Sequence, residues 1–178
     1  MSLYGPKPLA DSMRSVRKNT ILIAEDIPEK DYSYRPTPES RSVAEMLVNI
    51  ASLALFDRRV HEELHLSSRQ GFDFGAAIKK SETQEGRSRP KAEIIELLRT
   101  EGERWSRWVE ELSDDILEEQ VWMPGGISKN RFEILLGTKE HEMQHRAQLT
   151  VIERWLGIVP HLTRSRQAAS AVAPKRAS

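Results

Sequence analysis

Apolar residues recur every three or four positions along four stretches of the chain, which is the spacing of one face of an α-helix. The first stretch ends at Pro28, the third begins at Pro90, and the fourth stops just before Gly157, positions at which these residues commonly bound helices. The pattern therefore predicts four amphipathic helices, over about residues 9–27, 42–65, 90–112 and 130–155.

The segments between these stretches lack a regular apolar repeat. Residues 31–40 contain two prolines and read as a linker, and residues 67–89 read as a long connection between the second and third helices. A short helical turn is predicted over 113–120, and a turn over 122–126. No segment alternates long enough for a core strand. We expect an all-α protein with one four-helix bundle domain over residues 1–162 and a disordered polar tail over 163–178.

The inward face of the fourth predicted helix is polar in its middle. Unpartnered polar groups in a bundle interior each cost roughly 1–3 kcal/mol, so something must satisfy them. His141 and His145 stand one turn apart, which lets both rings converge on one metal ion. The inward face consists of Ile134, Thr138, His141, His145, Gln148, Ile152 and Trp155.

Spacing alone leaves a plainer interpretation open, in which these histidines simply hydrogen-bond to neighbours. His61 and His65 repeat the same spacing near the end of the second helix, beside Glu62, where we expect a solvated face. The chain has 27 Lys and Arg against 27 Asp and Glu and no Cys, so any metal must use nitrogen or oxygen ligands. The zero net charge argues against nucleic-acid binding. No run approaches the ~18 apolar residues of a membrane span, and a cytoplasmic location is expected.

The string from His141 to His145 also satisfies H-E-x-x-H, in which two His bind zinc and the Glu acts as a general base. In this interpretation Glu142 would be the base of a metalloprotease. The extended form of the motif requires Gly and His where this chain has Gln148 and Val151. A protease is therefore the less favoured interpretation.

Four segments together resemble the DinB/YfiT-like superfamily over about residues 5–160. They are Tyr32–Ser42 (YSYRPTPESRS), Glu45–Ile50 (EMLVNI), Glu140–Leu149 (EHEMQHRAQL) and Leu156–Pro160 (LGIVP). The resemblance implies a four-helix bundle with a long connection between helices 2 and 3, a homodimer, and an interior divalent metal, nickel or zinc. It also implies a metal-dependent hydrolase or a thiol S-transferase.

In the family pattern three His bind the metal, one from helix 2 and two from helix 4. By position the helix 4 pair is His141 and His145, whereas the helix 2 ligand falls on Asn49. An amide oxygen is a weaker donor than imidazole for late transition metals, so we expect reduced affinity. Three alternatives remain: Asn49 ligates directly or through water, Glu45 one turn earlier substitutes, or the site holds no metal.

The function expected from the sequence is a metal-dependent transferase or hydrolase acting on a small molecule, with a metal-activated water or low-molecular-weight thiol as nucleophile. Glu142 is a candidate general base, and Gln148 is a candidate to position the substrate or orient a ligand. The alternative is a non-catalytic bundle in which Asn49 marks a weakened or lost metal site.

Overall fold

The computed structural model describes residues 4–63, 73, 76, 79, 83, 85–123 and 125–172. A 3₁₀ turn over Glu29–Asp31 and a π-helical turn over Arg59–Glu63 accompany the α-helices. The strands β1 (Gln120–Trp122) and β2 (Ser128–Asn130) pair antiparallel. The α-helices are α1 Pro6–Asp26, α2 Val43–Arg58, α3 Lys91–Glu110, α4 Asp114–Glu118, α5 Arg131–Trp155 and α6 His161–Val172.

The long helices α1, α2, α3 and α5 form a four-helix bundle, as predicted from the apolar spacing. Helices α3 and α5 each pack against both α1 and α2. Among the described residues, the strands form only the short hairpin, and three-residue strands are too short to leave an alternating pattern in the sequence. None of the helices in the described part of the chain is long and apolar enough to cross a membrane.

Capping residues fix where the two site-bearing helices begin. Ser42 accepts a hydrogen bond from the Glu45 backbone N–H, and the Glu45 side chain accepts one from the Ser42 N–H, which forms a capping box at the start of α2. Asn130 and Glu133 form the same arrangement at the start of α5. Helix α5 ends before Gly157, which has a left-handed φ of 77°. These residues therefore define the start of α2 and both ends of α5.

The bundle interior contains two apolar clusters with buried polar residues between them. One cluster surrounds Leu47 and Leu98, and the other surrounds Met13 and Trp105. Along α1, α3 and α5 the chain passes from one cluster to the other through polar or small residues, which are Arg17, Thr20, Glu101, Gly102, Thr138, Glu142 and His145. The polar middle of the fourth predicted helix therefore belongs to a polar layer across the bundle.

The prediction of a disordered tail over 163–178 is wrong for its first part, because α6 occupies His161–Val172. His161 Nε2 lies 2.9 Å from Asn19 Oδ1, and Arg164 donates to Asp26 Oδ2 at 2.6 Å. Alanine-rich sequence has high helix propensity even without large apolar groups, so polar composition alone did not indicate this helix. Residues 173–178 lie outside the described residues.

Two expectations about individual side chains also change. His61 is buried rather than solvated, and its Nδ1 lies 2.6 Å from a guanidinium nitrogen of Arg131. Trp155, expected on the inward face, is 62% exposed. His65 and most of the predicted connection over 67–89 lie outside the described residues.

A buried carboxyl group on α5 should make stability depend on pH. Glu153 is fully buried, and burial, with Asp26 nearby, raises its pKa from 4.5 to about 7 despite Arg164 and Arg154. Between these two pH values the unfolded chain loses this proton while the folded chain keeps it. The contribution of Glu153 to the free energy of unfolding should therefore fall by about 2–3 kcal/mol as pH rises from about 4.5 to 7.

Urea unfolding of wild type and Glu153→Gln across this pH range checks the prediction. The variant should match wild type near pH 4.5 and exceed it in stability at pH 8. Glu140→Gln, on the exposed side of the same helix, serves as the control and should follow the wild-type profile. Equal pH dependence in wild type and Glu153→Gln would contradict the prediction.

Candidate metal centre

The structure brings together the two histidines of α5 and the amide of α2. The rings of His141 and His145 are 4.4 Å apart between centroids, with an interplanar angle of 79°. His141 Nε2 lies 2.8 Å from Asn49 Oδ1. His145 is 8% exposed, and His141 and Asn49 are partly buried. The three side chains therefore point into the bundle between α2 and α5.

The orientation of the Asn49 amide follows from a fourth side chain. Asn49 Nδ2 donates to Glu85 Oε1 at 2.6 Å, so Asn49 Oδ1 is the atom that faces His141. An amide oxygen only accepts hydrogen bonds, and His141 Nε2 must therefore carry the proton in this contact. Arg41 Nε donates to the other Glu85 oxygen at 2.8 Å. A chain of contacts thus runs from Arg41 through Glu85 and Asn49 to His141.

His145 has the opposite tautomer. Its Nδ1 lies 2.9 Å from Gln148 Oε1, and because that oxygen only accepts, Nδ1 carries the proton. The Nε2 lone pair of His145 is then available to a ligand. Metal-bound histidines commonly donate their second N–H to an oxygen in this way, which fixes the tautomer and ring orientation.

Both imidazoles are held in the neutral form that binds metals. Burial, together with His145 and Arg41, lowers the pKa of His141 to about 4, against the opposing effects of Glu142 and Glu85. Burial also lowers the pKa of His145, with a smaller contribution from Arg41 against the contributions of Gln148 and Glu85. Neutral rings at pH 7 offer lone pairs rather than charge.

A cavity of about 730 Å³, within the size range of small-molecule sites, opens beside His145, whereas His141 and Asn49 do not line it. His145 and Gln148 line it together with Arg41 and Glu85. Its apolar wall comes from α2 and α5 and consists of Met46, Val151, Ile152 and Trp155. The exposure of Trp155 is explained by its position at this cavity. The site therefore combines nitrogen and oxygen donors with space for a small molecule.

Glu142, the candidate general base, does not face this cavity. Its carboxylate is 1% exposed and accepts hydrogen bonds from Arg17 Nε and Nη2 at 2.9–3.0 Å and from Thr20 Oγ1 at 2.7 Å. The remaining Arg17 nitrogen, Nη1, donates to the Leu98 carbonyl. Gly102 lies so close that an added methyl group would collide with the guanidinium. Both the general-base role and the H-E-x-x-H protease interpretation lack the required geometry.

Glu45, the proposed substitute for the missing histidine, has other partners. It accepts a hydrogen bond from Arg35 at 2.5 Å and from the Ser42 N–H at 2.8 Å. These contacts keep it at the start of α2, although it still lines the cavity. Asn49 is therefore hydrogen-bonded to His141, whereas the hydrogen bonds of Glu45 go to Arg35 and Ser42.

The donor set fits a divalent transition metal, though as an open and weak site. His145 Nε2 has the lone pair that a metal requires, while His141 Nε2 must give up the proton that it shares with Asn49. Two imidazoles and a neutral oxygen leave coordination positions for water or substrate, as catalytic metal sites do. No cluster of three His, Cys, Asp or Glu with metal-binding geometry occurs among the described residues.

Sequence reasoning did not identify Glu85 or Arg17 as members of the buried polar network. Glu85 lies in a segment without apolar periodicity, so nothing in the sequence indicates that its side chain enters the bundle. Arg17 is buried next to Val16 on the inward face of α1. Its position beside the apolar stripe of this helix is the one sequence signal for that burial. Glu85 and Glu142 each pair with an arginine that is distant in the sequence, so neither ion pair can be recognised from local spacing.

Comparisons with known proteins agree with this fold. The chain is similar to a DinB-like protein, YjoA, from Bacillus subtilis, with 24% identity, a TM-score of 0.61, and coverage of 84% of this chain and 91% of that chain. It is also similar to YfiT from Bacillus subtilis, with 14% identity, a TM-score of 0.70, and coverage of 89% and 91%. YfiT is described as a probable metal-dependent hydrolase with an unusual four-helix bundle topology.

A search of curated proteins finds no match. The family model of the DinB superfamily matches residues 12–149, which include most of α1, all of α2 and α3, and the histidine pair of α5. The match spans most of the chain and contains the polar centre of the bundle. The chain belongs to the DinB superfamily.

Proposed function

We propose that this protein is a metal-dependent enzyme that acts on a small molecule, as a hydrolase or as a thiol S-transferase. The observation that carries the proposal is the 2.8 Å approach of Asn49 Oδ1 to His141 Nε2, one helical turn from His145, which lines a cavity of about 730 Å³. Membership in the DinB superfamily and the description of YfiT support the same class of chemistry.

The residues that would hold the ion are His141, His145 and Asn49. Bound there, nickel or zinc supplies a Lewis acid that turns water or a thiol into a nucleophile near neutral pH. Gln148 holds the His145 ring in the Nε2 lone-pair tautomer. The apolar wall of the cavity binds the carbon skeleton of the substrate and excludes water from it. Trp155 and Val151 form the outer part of that wall.

A turnover screen of tag-free protein loaded with nickel or zinc tests the proposal. Electrophiles are offered with and without a low-molecular-weight thiol, and esters and amides are offered in water. We expect turnover that requires the metal and is lost in His145→Ala, because that substitution removes the ligand with the free lone pair. Thiol dependence would identify a transferase, and thiol independence a hydrolase.

Gln144→Ala provides the matched control, since Gln144 lies next to His145 in sequence on the exposed side of α5. It should retain wild-type turnover. Equal turnover in His145→Ala and wild type, or in metal-free protein, would contradict the proposal.

A second candidate is a non-catalytic bundle, and one observation favours it. The contacts from Arg41 through Glu85 and Asn49 to His141 satisfy these buried polar groups with protein partners. In that case, the purified protein would not bind added zinc or nickel stoichiometrically. Metal binding separates the two candidates before any substrate is known.

The homodimer and the cytoplasmic location suggested by the sequence belong to the same proposal. Size-exclusion chromatography with light scattering tests the first, where a mass of one chain would contradict it. Fractionation of cells that express the protein tests the second.

A further inference from the structure

We infer that Glu85 is a positioning residue for the metal centre, acting through Asn49. Glu85 would compensate for the amide that stands where the family pattern has a histidine. The inference rests on the proposed function, but it also makes a claim about the metal-free protein. Its basis is the geometry of the Arg41, Glu85, Asn49 and His141 side chains.

Glu85 is buried and firmly held although it comes from the connection between α2 and α3. Its side chain is 7% exposed. Oε1 accepts from Asn49 Nδ2 at 2.6 Å, and Oε2 accepts from Arg41 Nε at 2.8 Å. A buried carboxylate is costly unless it is paired and hydrogen-bonded, and here both oxygens have partners. Glu85 therefore joins the connection to the polar centre of the bundle.

The carboxylate determines which end of the Asn49 amide meets the histidine. An amide that rotated by half a turn would place Oδ1 against Glu85 Oε1, so that two acceptors would face each other without a proton. Glu85 therefore keeps Asn49 Nδ2 on its own side and Asn49 Oδ1 toward His141. Without it, the amide could present either atom to His141 Nε2.

The same contact makes the amide oxygen a better ligand. Donation from Nδ2 to a carboxylate polarises the amide and increases the negative charge on Oδ1. Carboxylates behind metal-bound histidines have the same effect on ligand basicity, and losing such a partner commonly costs about 10–100-fold in metal affinity. Arg41, which is 43% exposed at the cavity, holds Glu85 in place.

The test follows the His141 proton and the metal affinity in wild type, Glu85→Ala and Glu85→Gln. In metal-free wild type, long-range ¹H–¹⁵N spectra should show the His141 proton on Nε2 alone. Glu85→Ala should give a mixture of Nε2–H and Nδ1–H forms, because a rotated amide can donate to Nε2. Zinc affinity should fall about 10–100-fold.

Glu85→Gln keeps an acceptor oxygen and the side-chain shape, so it should preserve the fold, keep the Nε2–H form and lose less affinity than Glu85→Ala. The control is Glu39→Ala, which removes an exposed carboxylate from the same cavity and should change neither measurement. A single Nε2–H form together with wild-type affinity in Glu85→Ala would overturn the inference. If wild type binds no metal, the proposed function fails. The tautomer spectra then test by themselves whether Glu85 orients the Asn49 amide.

Discussion

Arg17→Met is expected to lower the free energy of unfolding by about 3–5 kcal/mol, because it breaks a buried ion pair by removing one partner. Arg17 is 4% exposed and Glu142 is 1% exposed, and the guanidinium supplies three of the contacts within 3.0 Å of the carboxylate. Of the donors in the described part of the chain, Thr20 alone would still donate to Glu142 in the variant. The Leu98 carbonyl would lose its side-chain donor as well. Urea unfolding at pH 7 measures the change.

Two further variants separate the loss of this pair from a general effect of removing charge. Lys7→Met breaks solvent-exposed contacts to Asp11 and Glu110 and should change stability little. The double variant Arg17→Met/Glu142→Leu removes both charges and should recover most of the loss, since no buried charge is left unpaired. Equal stability of Arg17→Met and Lys7→Met would show that the pair does not hold the polar layer together.

Asn49→His should strengthen zinc and nickel binding by at least about tenfold, since imidazole is a better ligand than an amide for these metals. The substitution restores the three-histidine set of the family pattern on α2 and α5. Glu85 would then lie within reach of the second ring nitrogen, which it could hold by accepting a hydrogen bond. Isothermal titration of metal-free, tag-free protein measures the affinities.

The matched control for this prediction is Gln144→His, which adds a histidine to the exposed side of α5. It should leave the affinity of the interior site unchanged. Equal affinity in Asn49→His and wild type would mean that residue 49 contributes no ligand, and the contact between Asn49 and His141 would then be purely structural.

The four bundle helices could be predicted because each has an apolar face with helical spacing and a recognisable start or stop. Thr138 and His145, in the polar middle of the α5 face predicted to point inward, are buried, whereas Gln148 and Trp155 on the same predicted face are exposed. The pairing of His141 with Asn49 came from family resemblance, because spacing within one helix says nothing about which residue of another helix it meets.

Other features depend on tertiary contacts that the sequence does not display. Glu142 matches a local motif for a catalytic base, yet Arg17 from α1, 125 positions away, determines its environment. Glu85 enters the polar centre from a segment without periodicity. Helix α6 has few large apolar residues, and His161 and Arg164 hold it against α1 through polar contacts.

The most direct test of the metal centre is the stoichiometry of zinc or nickel bound by tag-free wild type and His145→Ala, measured by titration and by elemental analysis after dialysis. The proposed function predicts one ion per chain in wild type and loss of that binding in His145→Ala, with the fold intact by circular dichroism. Equal binding by both proteins, or no binding by wild type, would contradict a metal centre formed by His141, His145 and Asn49.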